Sequence, residues 1–145
     1  MEASQPSSLF EHLPIGACRI APTGRLLRAN PALVRLHGCN SETELLALAT
    51  DVGRQCYVDP QRWSQYLALM AEQGQVLQFE SELRRLGSGE RIWVRESAFA
   101  VRDAHGAVVY FEGTVEDSTA QHLARQALQL SEQKFAKAFS ASPDY

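Results

Sequence analysis

The sequence predicts an α+β domain in which an antiparallel sheet lays one face against helices. Three observations lead there. Apolar residues recur at helical spacing through the middle of the chain, and from about residue 76 the period changes to two. Each middle helix has its own start signal. The strands that follow are divided by glycine-containing turns, the order expected of a meander.

The first element is "IGACRIAPTGRLLRANP", two short β-prone runs hinged at Pro22-Thr23-Gly24, which reads as a hairpin. Asn30 followed by Pro31 supplies an N-cap and a first-turn proline for "ALVRLHG", and Gly38 stands where a left-handed C-cap belongs. Ser41 with Glu44 forms a capping box opening "ETELLALA". Asp59-Pro60 repeats the cap-proline logic for "QRWSQYLALMAEQG", where Trp63, Leu67 and Met70 share a face and Gly74 ends the run. In "VLQFESELRRL" the alternation puts Leu77, Phe79 and Leu83 inside and Gln78, Glu80, Glu82 and Arg84 outside. "ERIWVRESAFAV" is the next strand. "AVVYFEGTVED" is the last, with Val109, Phe111, Gly113 and Val115 facing in.

Composition removes several functions. The 145 residues fit one domain with a core of ordinary size, 45% hydrophobic and 21% charged. A net charge of −3 with scattered Lys and Arg argues against nucleic acid as a partner. No apolar run is long enough to span a bilayer, so no membrane contact is expected of this stretch. The N-terminus lacks a signal pattern, and three unpaired-looking cysteines suit a reducing, cytoplasmic setting. There is no P-loop, dinucleotide motif, HExxH or nucleophile elbow, so the stretch itself is not read as an enzyme. His37 and Cys39 lack a second pair at zinc spacing, so no metal is expected. Glu80, Glu82, Glu112 and Glu116 read as a solvated face, and His12, His37, His105 and His122 as surface or capping residues.

Together "GRLLRANPALVRLHG", "GRQCYVDPQRW", the glycine-rich hairpin, the Arg-Asp-x-x-Gly turn and Asp117-Ser118-Thr119 resemble a PAS domain over about residues 8 to 119. Ser118 departs from the family, which usually has a β-branched apolar residue between that Asp and Thr. The resemblance implies a five-stranded sheet in the order 2-1-5-4-3 with helices on one face. It also implies a sensory or interaction module within a larger signalling protein. Residues 1–7 then form a flexible N-terminus, 120–134 a linker helix, and 135–145 the start of a second such domain. In that last stretch Phe139 and Pro143 repeat the spacing of Phe10 and Pro14.

"GRQC" raises the question of a flavin. The light-sensing branch of the PAS family has a reactive cysteine after Gly, Arg and Asn, and here Gly53, Arg54 and Cys56 match while Gln55 does not. That branch also holds the flavin's polar edge with Asn and Gln on the meander, and "LRRLGSGERIWVRE" and "YFEGTVED" have neither. Each unsatisfied ring atom would cost roughly 1–3 kcal/mol, which argues against a photoadduct. Haem-binding members commonly take a histidine from the long helix, and residues 60 to 73 contain none. The ligand, if there is one, is left open.

Two readings remain. One is a sensory module whose pocket is formed by Cys56, Trp63, Met70, Phe79, Leu83, Phe111 and Val115. The other is a ligand-free interaction module with a packed core. Both relay through the C-terminal helix, which Ser118 or Thr119 can cap, with Gln121 placed to complete a box from Ser118. Ala120, Leu123, Ala127 and Leu130 follow coiled-coil spacing. Asp117, Thr119, Leu123, Leu130, Leu9 and Phe10 are the expected relay and dimer residues. The partners are a second copy and neighbouring domains of the same chain, with a histidine kinase or a diguanylate cyclase as compatible outputs.

Overall fold

The computed structural model describes residues 8–141. Its elements run α1 (Ser8–His12), β1 (Gly16–Ile20), β2 (Leu26–Ala29), α2 (Pro31–Leu36), α3 (Glu42–Leu48), α4 (Val52–Gln55), α5 (Pro60–Gln73), β3 (Gln75–Arg84), β4 (Arg91–Arg102), β5 (Val108–Asp117) and α6 (Thr119–Ala141). The strands form one antiparallel sheet in the order β2-β1-β5-β4-β3. The expected flexible stretch 1–7 and the Pro143 echo lie outside the described residues.

The start signals act as their chemistry requires. Asp59 Oδ1 accepts from Gln61 N, and Gly74 closes α5 in the left-handed region at φ 73°. Ser41 Oγ accepts from Glu44 N, while Glu44 Oε1 reaches back to Asn40 N rather than to Ser41, a shifted capping box. Asn30 does more than cap α2. Its Oδ1 accepts from Leu33 N and Ala17 N, and its Nδ2 donates to Phe10 O and Ile15 O. One fully buried amide therefore joins α1, β1 and α2 with its hydrogen-bonding capacity used.

Two expectations about strand faces fail, both at bulges. Leu77 is 67% exposed, and Val76 takes the inward position. The β3–β4 register shifts between Val76 and Phe79, where Gln78 has φ 52° and donates its N–H to Ser97 Oγ. Two residues there oppose one, so the alternation slips. Val109 is 47% exposed for the same reason: β4 pairs Val101 with Tyr110 and Arg102 with Val108, leaving Val109 extra.

The inner face of the sheet and helices α2 to α5 enclose a core in two clusters. One gathers Cys18, Leu33, Leu45, Cys56, Leu83, Val94 and Val115 under α2–α4. The other gathers Tyr66, Met70, Val76, Phe79, Ala98 and Phe111 under α5, and Trp63 touches both. Among the described residues no helix is long and apolar enough to cross a membrane.

Candidate functional site

Two places stand out, an internal cavity in the first cluster and the junction where β5 becomes α6. The cavity has a volume of about 30 Å³. Its apolar walls include Leu83 and Val115, and Cys56, Tyr57, His37 and Glu96 bring polar atoms to it. Of the residues the sequence nominates for a pocket, Cys56, Leu83 and Val115 line this space. Trp63, Met70, Phe79 and Phe111 instead pack around Tyr66. The Tyr66 ring meets Phe79 and Phe111 edge-on at 5.8 Å and stacks on Trp63 at 5.0 Å.

Gly53 has a packing reason. A Cβ there would fall 2.3 Å from Trp63 Cδ1, so the indole lies directly on the glycine backbone. Gln55 is equally occupied, donating to Leu48 O and accepting from Asp51 N, which ties down the turn between α3 and α4. Arg54 points to solvent. The Cys56 thiol is buried, and burial, followed by the nearby Glu96 charge, pushes it up to about 12. It stays protonated, a poor nucleophile.

Glu96 is the residue the sequence reading overlooks. It lies on the inner face of β4 between Val94 and Ala98, and is 4% exposed. Its Oε1 accepts from the Tyr57 hydroxyl at 2.7 Å. Burial raises this carboxyl to about 7, although the Tyr57 hydrogen bond and the Arg62 charge pull the other way. His37 is not a surface residue: it caps α2 from inside, its Nδ1 accepts from Leu86 N, and burial, aided by Arg85, lowers it to about 4.

At the junction, Ser118 N donates to Trp93 O and Trp93 N donates to Thr119 Oγ1, so the end of β5 is stitched to β4. Asp117 Oδ1 accepts from Thr119 N. The expected Ser118–Gln121 box is replaced, because the fully buried Ser118 turns its hydroxyl to Glu80 Oε2 at 3.3 Å. Glu80 is not a solvated carboxylate either. It accepts from Arg125 at 2.6 Å and faces His122 Nδ1 at 3.4 Å, while His122 stacks on Trp93 at 3.6 Å. Burial would raise the Glu80 carboxyl, but Arg125 and His122 outweigh it and hold it below its ordinary value. Glu112, also read as solvated, pairs with Arg19.

From residue 123 to 139 the helix is exposed on every side, Leu123 and Leu130 included. It continues unbroken through residues 135 to 141. At the other end Leu9 is exposed and Phe10 half-buried beneath the Arg28 guanidinium. Both edge a groove of about 540 Å³ on the outer sheet face, with Arg19 and Phe99 opposite.

The model of the PAS fold matches residues 10–123. The chain belongs to the PAS-fold family. Solved structures agree on the architecture of this PAS domain. A PAS domain from Colwellia psychrerythraea superposes with a TM-score of 0.66 at 16% identity, covering 77% of this chain and 92% of its own. A sensory box histidine kinase/response regulator from Burkholderia thailandensis gives 0.66 at 18% identity, covering 89% and 95%. A domain of a sensory box sensor histidine kinase/response regulator from Geobacter sulfurreducens gives 0.58 at 26% identity, covering 76% and 89%. No curated protein matches the sequence.

Proposed function

We propose that this PAS domain is a sensory relay module of a larger signalling protein, and that it pairs two copies through α6 and α1 and passes changes in its sheet to a neighbouring output domain. The carrying observation is the contrast along α6. Its first turns are bonded to Trp93 and Glu80, while Leu123, Leu128, Leu130, Phe135 and Phe139 are exposed on the remainder. A helix of 23 residues reaches about 34 Å. Such a length of exposed apolar side chains fits a helical partner better than water.

The cavity volume favours a core filled by its own side chains. About 30 Å³ holds a water or two, whereas ligand sites commonly span roughly 300–1,000 Å³. A ligand-sensing role is therefore confined to a molecule of very few atoms, or to one that repacks the core. Residues 135–145 are read as the opening of a second PAS domain. The helical state of Phe10 in α1 and of Phe139 in α6 supports that reading. A cytoplasmic location and a kinase or cyclase output belong to the same proposal.

Sedimentation velocity tests the pairing. The wild type should pass from monomer to dimer as concentration rises, and Leu123→Glu with Leu130→Glu should weaken the dimer at least about tenfold, since each buried leucine contributes roughly 1.5–3 kcal/mol. A wild type that stays monomeric at high concentration, or a double variant that dimerises equally well, contradicts it.

A further inference from the structure

The internal cavity is lined by apolar side chains and by a few polar groups, of which Glu96 is the one carboxyl. Glu96 faces Phe79 of β3 and Val115 of β5 across the sheet, and neither can carry charge. From β1 it meets Cys18, and from α5 Tyr66 and Arg62. From the stretch between α4 and α5 it meets Cys56 and Tyr57, and from the end of α2 His37 borders the same cavity, with Arg85 behind it. Burial, followed by the Glu96 charge, raises Cys18, Cys56, Tyr57 and Tyr66, so all four stay neutral. His37 is neutral because burial lowers it. The Arg62 guanidinium is held by Ser81 Oγ, Glu80 O and the Phe79 ring. Glu96 alone in this group is displaced toward neutral pH rather than away from it.

The group that bonds to it is also mechanically placed. Cys56 to Val58 form a short strap on the edge of β3: Tyr57 pairs with Leu83, Arg84 N donates to Cys56 O and Val58 N donates to Glu82 O. The Tyr57 hydroxyl crosses from this strap over β3 to Glu96 on β4. No other hydrogen bond reaches the Glu96 carboxyl from the described residues.

We propose that Glu96 is a proton-binding site that acts as a pH switch in the core: protonated, it lets the strap close on β3 over a dry cavity, and ionised, it holds the Tyr57 hydroxyl more tightly but draws water into the cavity, which loosens the backbone bonds between strap and β3. A charge in a space of about 30 Å³ with one hydrogen-bond donor is poorly solvated. Admitting one or two waters there is the smallest rearrangement that relieves it. The sign follows from the direction of the shift. Between about 4.5 and about 7 the folded domain holds a proton that the unfolded chain has released. Stability therefore falls as pH rises through that window and levels off above it. The switch would stand even if α6 did not pair two copies, because its readouts lie in the strap.

The test is a carbon-13 titration of the glutamate carboxyls in the full chain, with amide exchange of Val58 and Arg84 followed in parallel and corrected for intrinsic rates. The Glu96 resonance should titrate near neutral pH, with strap amides opening more often above its midpoint. Tyr57→Phe removes a bond to the ionised form, so its midpoint should move to higher pH. In Glu96→Gln the folding equilibrium should lose a pH dependence on the order of a hundredfold across the window. A Glu96 midpoint near that of an exposed glutamate overturns the proposal. So does strap exchange that is indifferent to pH, or a Glu96→Gln profile identical to the wild type.

Discussion

The two halves of the core solve the same packing problem in opposite ways. Under α5, Tyr66 is ringed by Trp63, Phe79, Phe111 and Met70, an apolar cluster with edge-on and stacked rings. Under α2–α4, a cavity brings together Glu96, Tyr57 and His37, with one hydrogen bond between the first two. The buried residues of the first half gain from burial, and none of them is a carboxylate, an imidazole or a cation. The second carries a group whose ionisation the surroundings oppose. One half is built to hold the sheet, the other to respond.

Substitutions in each half distinguish the two. Tyr66→Ala should have the largest effect, a loss of about 3–5 kcal/mol in urea unfolding that is the same at pH 5 and pH 8. Tyr57→Phe should show the pH dependence the first lacks. At pH 8 it leaves an ionised carboxylate without its donor and should destabilise by about 1.5–3 kcal/mol, and at pH 5, with Glu96 neutral, by nearer 1 kcal/mol. Equal losses at both pH values would erase the distinction between the halves. Cys56→Ala should remove about 1 kcal/mol, the loss of one small buried side chain. It should leave visible absorbance and any response to light unchanged, and a light-induced bleach abolished by this variant would restore the flavin reading. Glu80→Gln should be the mildest for the core, within about 1 kcal/mol, while raising amide exchange in the first turns of α6.

Much of the frame was legible in the chain because it is written locally. Asn30-Pro31, Ser41, Asp59-Pro60 and Gly74 mark helix ends through bonds to residues within a few positions. The bulges at Gln78 and Val109 were not legible, because each depends on what the partner strand presents. Leu77 and Val109 look like core residues until the register slips. Glu96 left a trace: alternation through Ile92, Val94 and Ala98 puts it on the apolar face, and only its charge argues otherwise. Glu80 left none, since Arg125 lies 45 residues away and sequence carries no sign that α6 folds back over β3. The cavity's lining was only partly legible. Cys56, Leu83 and Val115 reach it, whereas the large aromatic residues of α5 and the strands satisfy one another instead.

Helix α6 is held at its base and free along its length. Amide exchange along residues 119–141, measured on the full chain over a range of protein concentrations, tests this most directly. At low concentration, protection should be confined to the first turns, where Ser118, Thr119, His122 and Arg125 tie the helix to Trp93 and Glu80. As concentration rises, it should spread along the leucine-bearing turns. Protection that is uniform along α6 in the dilute protein, or that never extends past Arg125 as concentration rises, would contradict the relay.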